Sequence, residues 1–238
     1  MKSWVLEGDV LKIAEGDSRI SANADQVFAS VIEKNPAWPD LPAGRCGGAS
    51  SLQFSRYTVE LTAVMADSSD SSWPVVRFEA RTQRGSRFPI SWKAVSSGHV
   101  VHQETWYPGA LDSTKDLVRL LEKSGHNPEV ARVQKLATVL TLRKAAAEGG
   151  PIIDLLSDNA LKQLVTGFRR DRDPEGIAAR LYPYQREGWQ WLSFILKEEL
   201  GGLLADEMGL GKTLQVISAL RDSGREPNSD CALVLAPG

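Results

Sequence analysis

Five residues constrain this chain more than any others. Gly209-Leu210-Gly211-Lys212-Thr213 stand between a short apolar run, Leu203-Leu204-Ala205, and an apolar-periodic stretch through Thr213, Val216, Ile217 and Leu220. That order predicts a buried strand over 203–205, a glycine loop, and a helix from about Lys212 with those four residues on one face. Glycines let backbone N–H groups curl around an anion, and the helix N-terminus adds its partial positive charge. Lys212 would reach β- and γ-phosphates as a mobile point charge, and the Thr213 hydroxyl would join the shell of a Mg²⁺ ion. The general phosphate-loop pattern has a further glycine five residues before Gly211, and here that position is Asp206. A plain glycine turn between a strand and a helix is the competing interpretation. The Gly-x-Gly-Lys-Thr string with both flanks in place weighs against it.

The longer string Asp206-Glu207-Met208-Gly209-Leu210-Gly211-Lys212-Thr213 resembles motif I of the Swi/Snf family of helicase-like ATPases, where the acidic pair is usual. Upstream, Leu181-Tyr182-Pro183-Tyr184-Gln185, followed by Gly188 and Trp191-Leu192, resembles that family's Q motif, with Tyr182 where arginine is common. The resemblance covers roughly residues 177–238. It implies ATP and Mg²⁺ as cofactors, held by Tyr184, Gln185, Gly209, Leu210, Gly211, Lys212 and Thr213, with Thr213 on the metal. Gln185 would pair with the adenine edge, since an amide offers a donor and an acceptor together. Tyr184 would help to position it. As plain packing, Tyr184, Gly188, Trp191, Leu192 and Ile195 fall at helical spacing and point into a core. Cys231 to Pro237 predicts a second buried strand, parallel to the first through a right-handed crossover, and resembles motif Ia.

Members of the family move along double-stranded DNA with ATP held between two RecA-like lobes. The acidic motif for metal and water, and the second-lobe arginines, are not in this sequence. An arginine finger alone supplies a factor of about 10³–10⁵, so these 238 residues are expected to be catalytically inactive, with DNA engaged mainly through other parts. Apolar strand edges are expected to be bare after residue 200, as in a truncated gene product. Two other readings stay open: a different P-loop hydrolase or kinase, and a non-catalytic binding or regulatory module folded in its N-terminal region.

The fold class expected is an α+β N-terminal region, strand-rich and then helical, followed by the truncated start of an α/β RecA-like P-loop lobe. Strands are predicted over 1–110, where Leu52 to Val64 and Val75 to Ala80 alternate. A helical segment is predicted over 111–168. It comprises a helix opened by a Ser113–Asp116 capping box and closed by Gly125, a second starting at Asn127-Pro128 with Val133, Leu136, Ala137 and Leu140 inward, and a third over 157–165 with Leu161, Leu164 and Val165 inward. A charged linker over 169–176 leads to the lobe at 177–238. The stretch from Ala80 to Gln103 has no acidic residue, while Arg81, Arg84, Arg87 and Lys93 lie among Phe88 and Trp92. That is either a small basic-aromatic surface for nucleic acid or a solvated hairpin with scattered arginines. His99 and His102 have no metal-ligand spacing and read as ordinary surface or strand residues.

A formal net charge of -2 excludes a basic field over the whole surface, so any contact with nucleic acid must be local. Cys46 and Cys231 form neither a disulfide framework nor a zinc spacing. Glu7 and Asp9 interrupt the apolar start, so no signal peptide is expected here, and no apolar run is long enough for a bilayer; the expected place is intracellular, in cytoplasm, nucleoid or nucleus. By the resemblance, the N-terminal region would recruit a protein partner or regulate the motor.

Overall fold

The structure, a computed structural model, describes residues 2–33, 51–166 and 173–222. The chain forms two compact units, Met1–Gln134 with Thr138–Ala160, and Lys135–Ala137 with Leu161–Gly238.

The first unit opens with a meander of β1 (Ser3–Glu7), β2 (Val10–Glu15) and β3 (Ser18–Ser21), paired antiparallel in that order. Its turns are Gly8-Asp9 and Gly16-Asp17, and both glycines hold a positive φ, +66° and +60°. Two-residue turns of that hand match the twist of the strands, and glycine reaches them without a Cβ clash. Helix α1 (Ala24–Val27) runs on into wider π-type turns over Phe28–Glu33. The Asn23 side chain accepts the Gln26 amide while the Gln26 side chain accepts the Asn23 amide, which satisfies two donors at the helix start. Trp4, Leu11, Ile13, Val27, Val31 and Trp106 close a common core.

Next come β4 (Gln53–Phe54), β5 (Glu60–Ala66), β6 (Val75–Arg81) and β7 (Arg87–Ile90), then α2 (Trp92–Ser97), β8 (His99–His102) and β9 (Thr105–Pro108). Helix α2 interrupts a stretch whose sequence predicts strands only. The Ser91 side chain caps it by accepting the Ala94 amide, and Gly98 ends it at φ +67°. Asp9 in turn fixes Ser91, its carboxylate accepting the Ser91 amide and hydroxyl at 2.6 Å each. One sheet has the order β4-β9-β8, with β4 parallel and β8 antiparallel to β9.

Helix α3 (Leu111–Ser124) ends at Gly125, φ +68°, as the sequence predicts. It starts at Leu111, with no capping box at Ser113–Asp116; the Ser113 and Thr114 hydroxyls donate back to the Ala110 carbonyl instead. The helix expected from Asn127 is also corrected. The Val76 amide donates to the Ala131 carbonyl and the Val133 amide to the Pro74 carbonyl, so this segment's backbone is taken up beside β6. Helix α4 (Leu136–Ala147) follows, burying Leu136, Val139 and Leu142 while Leu140, expected inward, is 43% exposed. Inside the stretch read as helical lies β10 (Ile152–Leu155), which adds parallel to β5 and completes the order β10-β5-β6-β7. Its β-branched Ile152-Ile153 pair suits a strand, and β5 offers the free edge.

In the second unit, α5 (Asp158–Thr166) buries Leu164 but leaves Val165, expected inward, exposed. Helix α6 (Pro183–Lys197) begins with proline at its first position, where no amide is needed. Helix α7 (Lys212–Asp222) packs on it. Leu181, Trp189 and Ala219 form their core with Leu192, Leu196 and Leu214. Trp189 is the fully buried aromatic, whereas Tyr184, expected inward, is 45% exposed.

Two expectations around the glycine loop are corrected. Residues 203–205 form no strand, and Leu203 is 83% exposed. A strand exists only through neighbours that pair with its backbone; the neighbour expected, Cys231–Pro237, lies outside the described residues, as do residues 169–172 of the predicted linker. On α7 the buried residues are Gln215, Ser218 and Ala219, while Val216 and Ile217 are exposed. Contact with α6 selects the side of Leu214, Gln215, Ser218 and Ala219, so Val216 and Ile217 of the face predicted to bury are left exposed while Leu220 is half-buried. Among the described residues no helix is long and apolar enough to cross a membrane.

Candidate functional site

Residues 201–211 run without helix or strand into the start of α7. Gly209 (φ +86°) and Gly211 (φ +74°) both take the left-handed backbone, and the chain curls on itself between Asp206 and Lys212. The amides of Gly209, Leu210, Gly211, Lys212 and Thr213 donate to no acceptor among the described residues. The first bonds of the turn come later, from the Leu214 and Gln215 amides to the Gly211 carbonyl at 3.0 and 3.2 Å. Unpaired donors at a helix start, reinforced by the helix dipole, are the physical requirement for holding an anion.

Lys212 folds back across this loop. Its Nζ donates to the carbonyl of Asp206 and, at 3.4 Å, to that of Glu207. Neutral carbonyls are weaker partners for an ammonium than charged phosphate oxygens. Thr213 is exposed beside it at the first turn of the helix.

Gln185 is nearly fully buried at the start of α6. Its Oε1 accepts the Tyr182 amide at 3.0 Å and its Nε2 donates to the Leu210 carbonyl at 3.1 Å. The predicted adenine contact therefore shares this amide with a structural link from α6 to the loop. A carboxamide has two N–H groups and two acceptor sites, so one of each remains for a ligand. Tyr184 is exposed, its ring stacked on that of Tyr182 at 5.9 Å and 4°. The structure thus brings Gln185 to Leu210 and Gly211, and leaves Tyr184 and Thr213 in the open.

Gln215 was not among the residues singled out from sequence. It is completely buried on α7, where its Nε2 donates to the Asp206 carboxylate at 3.3 Å. This gives Asp206 a task at the position where the general pattern has glycine: its carboxylate ties the start of the loop to the helix behind it. Gly188 makes room for the arrangement, since a Cβ there would lie 1.8 Å from the Gln215 Oε1. A polar residue three positions after Lys212 gives no signal of this by itself. Five free amides, an ammonium and a hydroxyl at one helix start are a donor set that fits a phosphate chain with its Mg²⁺.

Residues 184–237 match the SNF2-related domain. Protein CHROMATIN REMODELING 24 of Arabidopsis thaliana is 47% identical over 64 residues, 27% of this chain and 6% of that protein. The human SWI/SNF-related matrix-associated actin-dependent regulator of chromatin subfamily A containing DEAD/H box 1 is 47% identical over 57 residues, 24% of this chain and 6% of its own. An uncharacterized ATP-dependent helicase of Mycoplasma pneumoniae is 30% identical over 155 residues, 55% of this chain and 14% of its own. That alignment is longer than 184–237, so the likeness takes in residues upstream. The chain spans only 6% to 14% of the length of these relatives. No solved structure matches it.

Proposed function

We propose, from the place of residues 184–237 among the SNF2-related, helicase-like ATPases, that the protein to which these residues belong binds ATP with Mg²⁺ and couples its hydrolysis to movement on double-stranded DNA. The loop amides of residues 209–213 and the Lys212 ammonium take the phosphates, Thr213 joins the metal's shell, and Gln185 with Tyr184 orients the adenine. Bound ATP supplies the phosphoanhydride whose hydrolysis drives the motion. The chain's own contribution is to bind and orient it. The first unit serves as a recruiting or regulating module, and the place of action is with DNA, in nucleus or nucleoid.

The observation that carries this reading is the array of unpaired amides from Gly209 to Thr213, with the Lys212 ammonium turned back to the Asp206 and Glu207 carbonyls at the start of the same loop. Titration of the 238-residue protein with a fluorescent ATP analogue and Mg²⁺ tests it. Hydrogen bonds to charged groups contribute about 1.5–3 kcal/mol, so Lys212→Ala weakens binding about ten- to a hundredfold. Thr213→Ala weakens it only when Mg²⁺ is present. Equal binding by wild type and Lys212→Ala removes the reading. Bound ATP is not turned over by these residues alone, because the acidic motif and the second-lobe arginines lie outside this sequence. A Lys212-dependent hydrolysis rate in this protein would refute that part alone.

A further inference from the structure

The first unit contains a cleft for which the ATP site has no use. It opens between the β6–β7 hairpin and the β8–β9 hairpin, has a volume of about 740 Å³, and is lined by Tyr57, Arg84, Arg87, Phe88, His102 and Tyr107 among others. That volume lies within the range of about 300–1,000 Å³ usual for ligand sites. No aspartate or glutamate lines it.

The structure sorts the basic and aromatic residues of 80–103 into two groups. Arg81 pairs with Glu60 at 3.9 Å, Lys93 pairs with Glu7 at 3.3 Å, and the Trp92 ring packs on Phe78. Arg84 and Arg87 are exposed at the cleft and form no ion pair among the described residues. The aromatic side is equally ordered. Phe88 and His102 stack at 4.0 Å and 7°, the Tyr107 ring lies 6.0 Å from Phe88, and Tyr57 stands 70% exposed. Both turns that form the rim are built in. The Thr82 hydroxyl accepts the Ser86 amide at 3.1 Å beneath Arg84, and Gly85 has φ +88°. In the other turn Gln103 and Glu104 hold φ +46° and +58°, the left-handed pair by which a two-residue turn joins β8 to β9.

Unpaired guanidinium groups in a cleft whose lining carries no acid attract an anion locally, although Glu104 stands in the rim turn and the chain as a whole is slightly acidic. Their planar forks match phosphate oxygens, and an open phenol ring offers a face on which a base can stack. In a duplex the bases are paired and stacked on one another, so they cannot reach such a ring, and a cleft of this size admits a base but not a double helix. We infer that this cleft binds a short single-stranded stretch of nucleic acid, with backbone phosphates on Arg84 and Arg87 and a base on Tyr57.

The test is fluorescence anisotropy of a labelled oligo(dT) of roughly ten nucleotides with the 238-residue protein, in the absence of ATP. The single strand binds more tightly than a duplex of equal length. The Arg84→Ala/Arg87→Ala pair weakens binding at least about tenfold and lowers the slope of log affinity against log salt by about 1.4, the value for two phosphates on a single strand. Tyr57→Ala weakens it about fivefold or more, and Tyr57→Phe does not. Arg84, Arg87 and Tyr57 are all exposed, so thermal melts of their variants stay at the wild-type value. Lys212→Ala leaves the single-strand affinity unchanged, which separates this site from the nucleotide site. Absence of binding, preference for duplex, arginine variants that bind like wild type, or a phosphopeptide that binds more tightly than the oligonucleotide would each overturn the proposal.

Discussion

Gly211 is fixed by two independent constraints, a φ of +74° and the Gln185 Nε2, which would lie 2.5 Å from any Cβ. The first is visible in the sequence, because a glycine between two special residues marks a turn that other residues enter only at a cost of about 1–2 kcal/mol. The second requires the partner, Gln185, which stands far upstream on another helix. His99 shows the same division more sharply. Sequence places it in a strand or on the surface; it is in β8 and completely buried, with Nε2 accepting the Leu11 amide at 3.0 Å. Burial pushes its pKa from 6.5 down to about 4. The unfolded chain then binds a proton that the folded chain refuses, so stability is full above pH 6.5 and falls as pH drops towards 4. The loss over that window is roughly 3 kcal/mol. Urea unfolding at steps across it should show the slope, and His99→Gln, which can still accept the Leu11 amide, should flatten it. Part of the slope persists through His126, which burial shifts in the same direction. An equally steep slope in the variant would mean that His99 is not the group responsible.

Helix α7 buries Gln215, Ser218 and Ala219, with Leu214 packed against the same core, and leaves Val216 and Ile217 exposed. Periodicity predicts Val216, Ile217 and Leu220 inward, yet Gln215, Ser218 and Ala219 meet α6. Hydrophobic pattern names the faces a helix has, and the neighbour decides which of them is covered. Two substitutions separate the alternatives. Ala219→Leu forces extra methylenes against Leu181 and Trp189 and costs about 1–3 kcal/mol. Ile217→Ser, at a position 51% exposed, changes stability by no more than about 0.5 kcal/mol. Chemical denaturation of both variants reads this directly, and a large loss with Ile217→Ser would show that this face is covered. Helix ends were easier to read. Gly125 closes α3 where predicted because a left-handed cap is a local demand. The Asn127-Pro128 start failed because β6 took up the following backbone.

At the scale of the whole molecule, a ligand that binds only the folded protein stabilises it by mass action. ATP with Mg²⁺ at a hundred times its dissociation constant contributes about 2.7 kcal/mol, which appears as a raised melting temperature. Lys212→Ala, with binding ten- to a hundredfold weaker, cuts that contribution to about 0.4–1.4 kcal/mol, and the Arg84→Ala/Arg87→Ala pair keeps it whole. A rise of equal size in the Lys212 variant would place the nucleotide elsewhere. The net charge of -2 belongs to this scale too, and it conceals the cleft, since a mean over the chain cannot register two unpaired arginines in one hollow. The sequence by itself determined the glycine loop and several helix ends, because a phosphate cradle or a cap is made by residues a few positions apart and their spacing is the geometry. Tertiary structure alone decided which side of α7 is buried, how Gln215 holds Asp206, and that Tyr57, Arg87 and His102 line one cleft. Each of these depends on surfaces distant in sequence, and what covers a residue is a property of its neighbour.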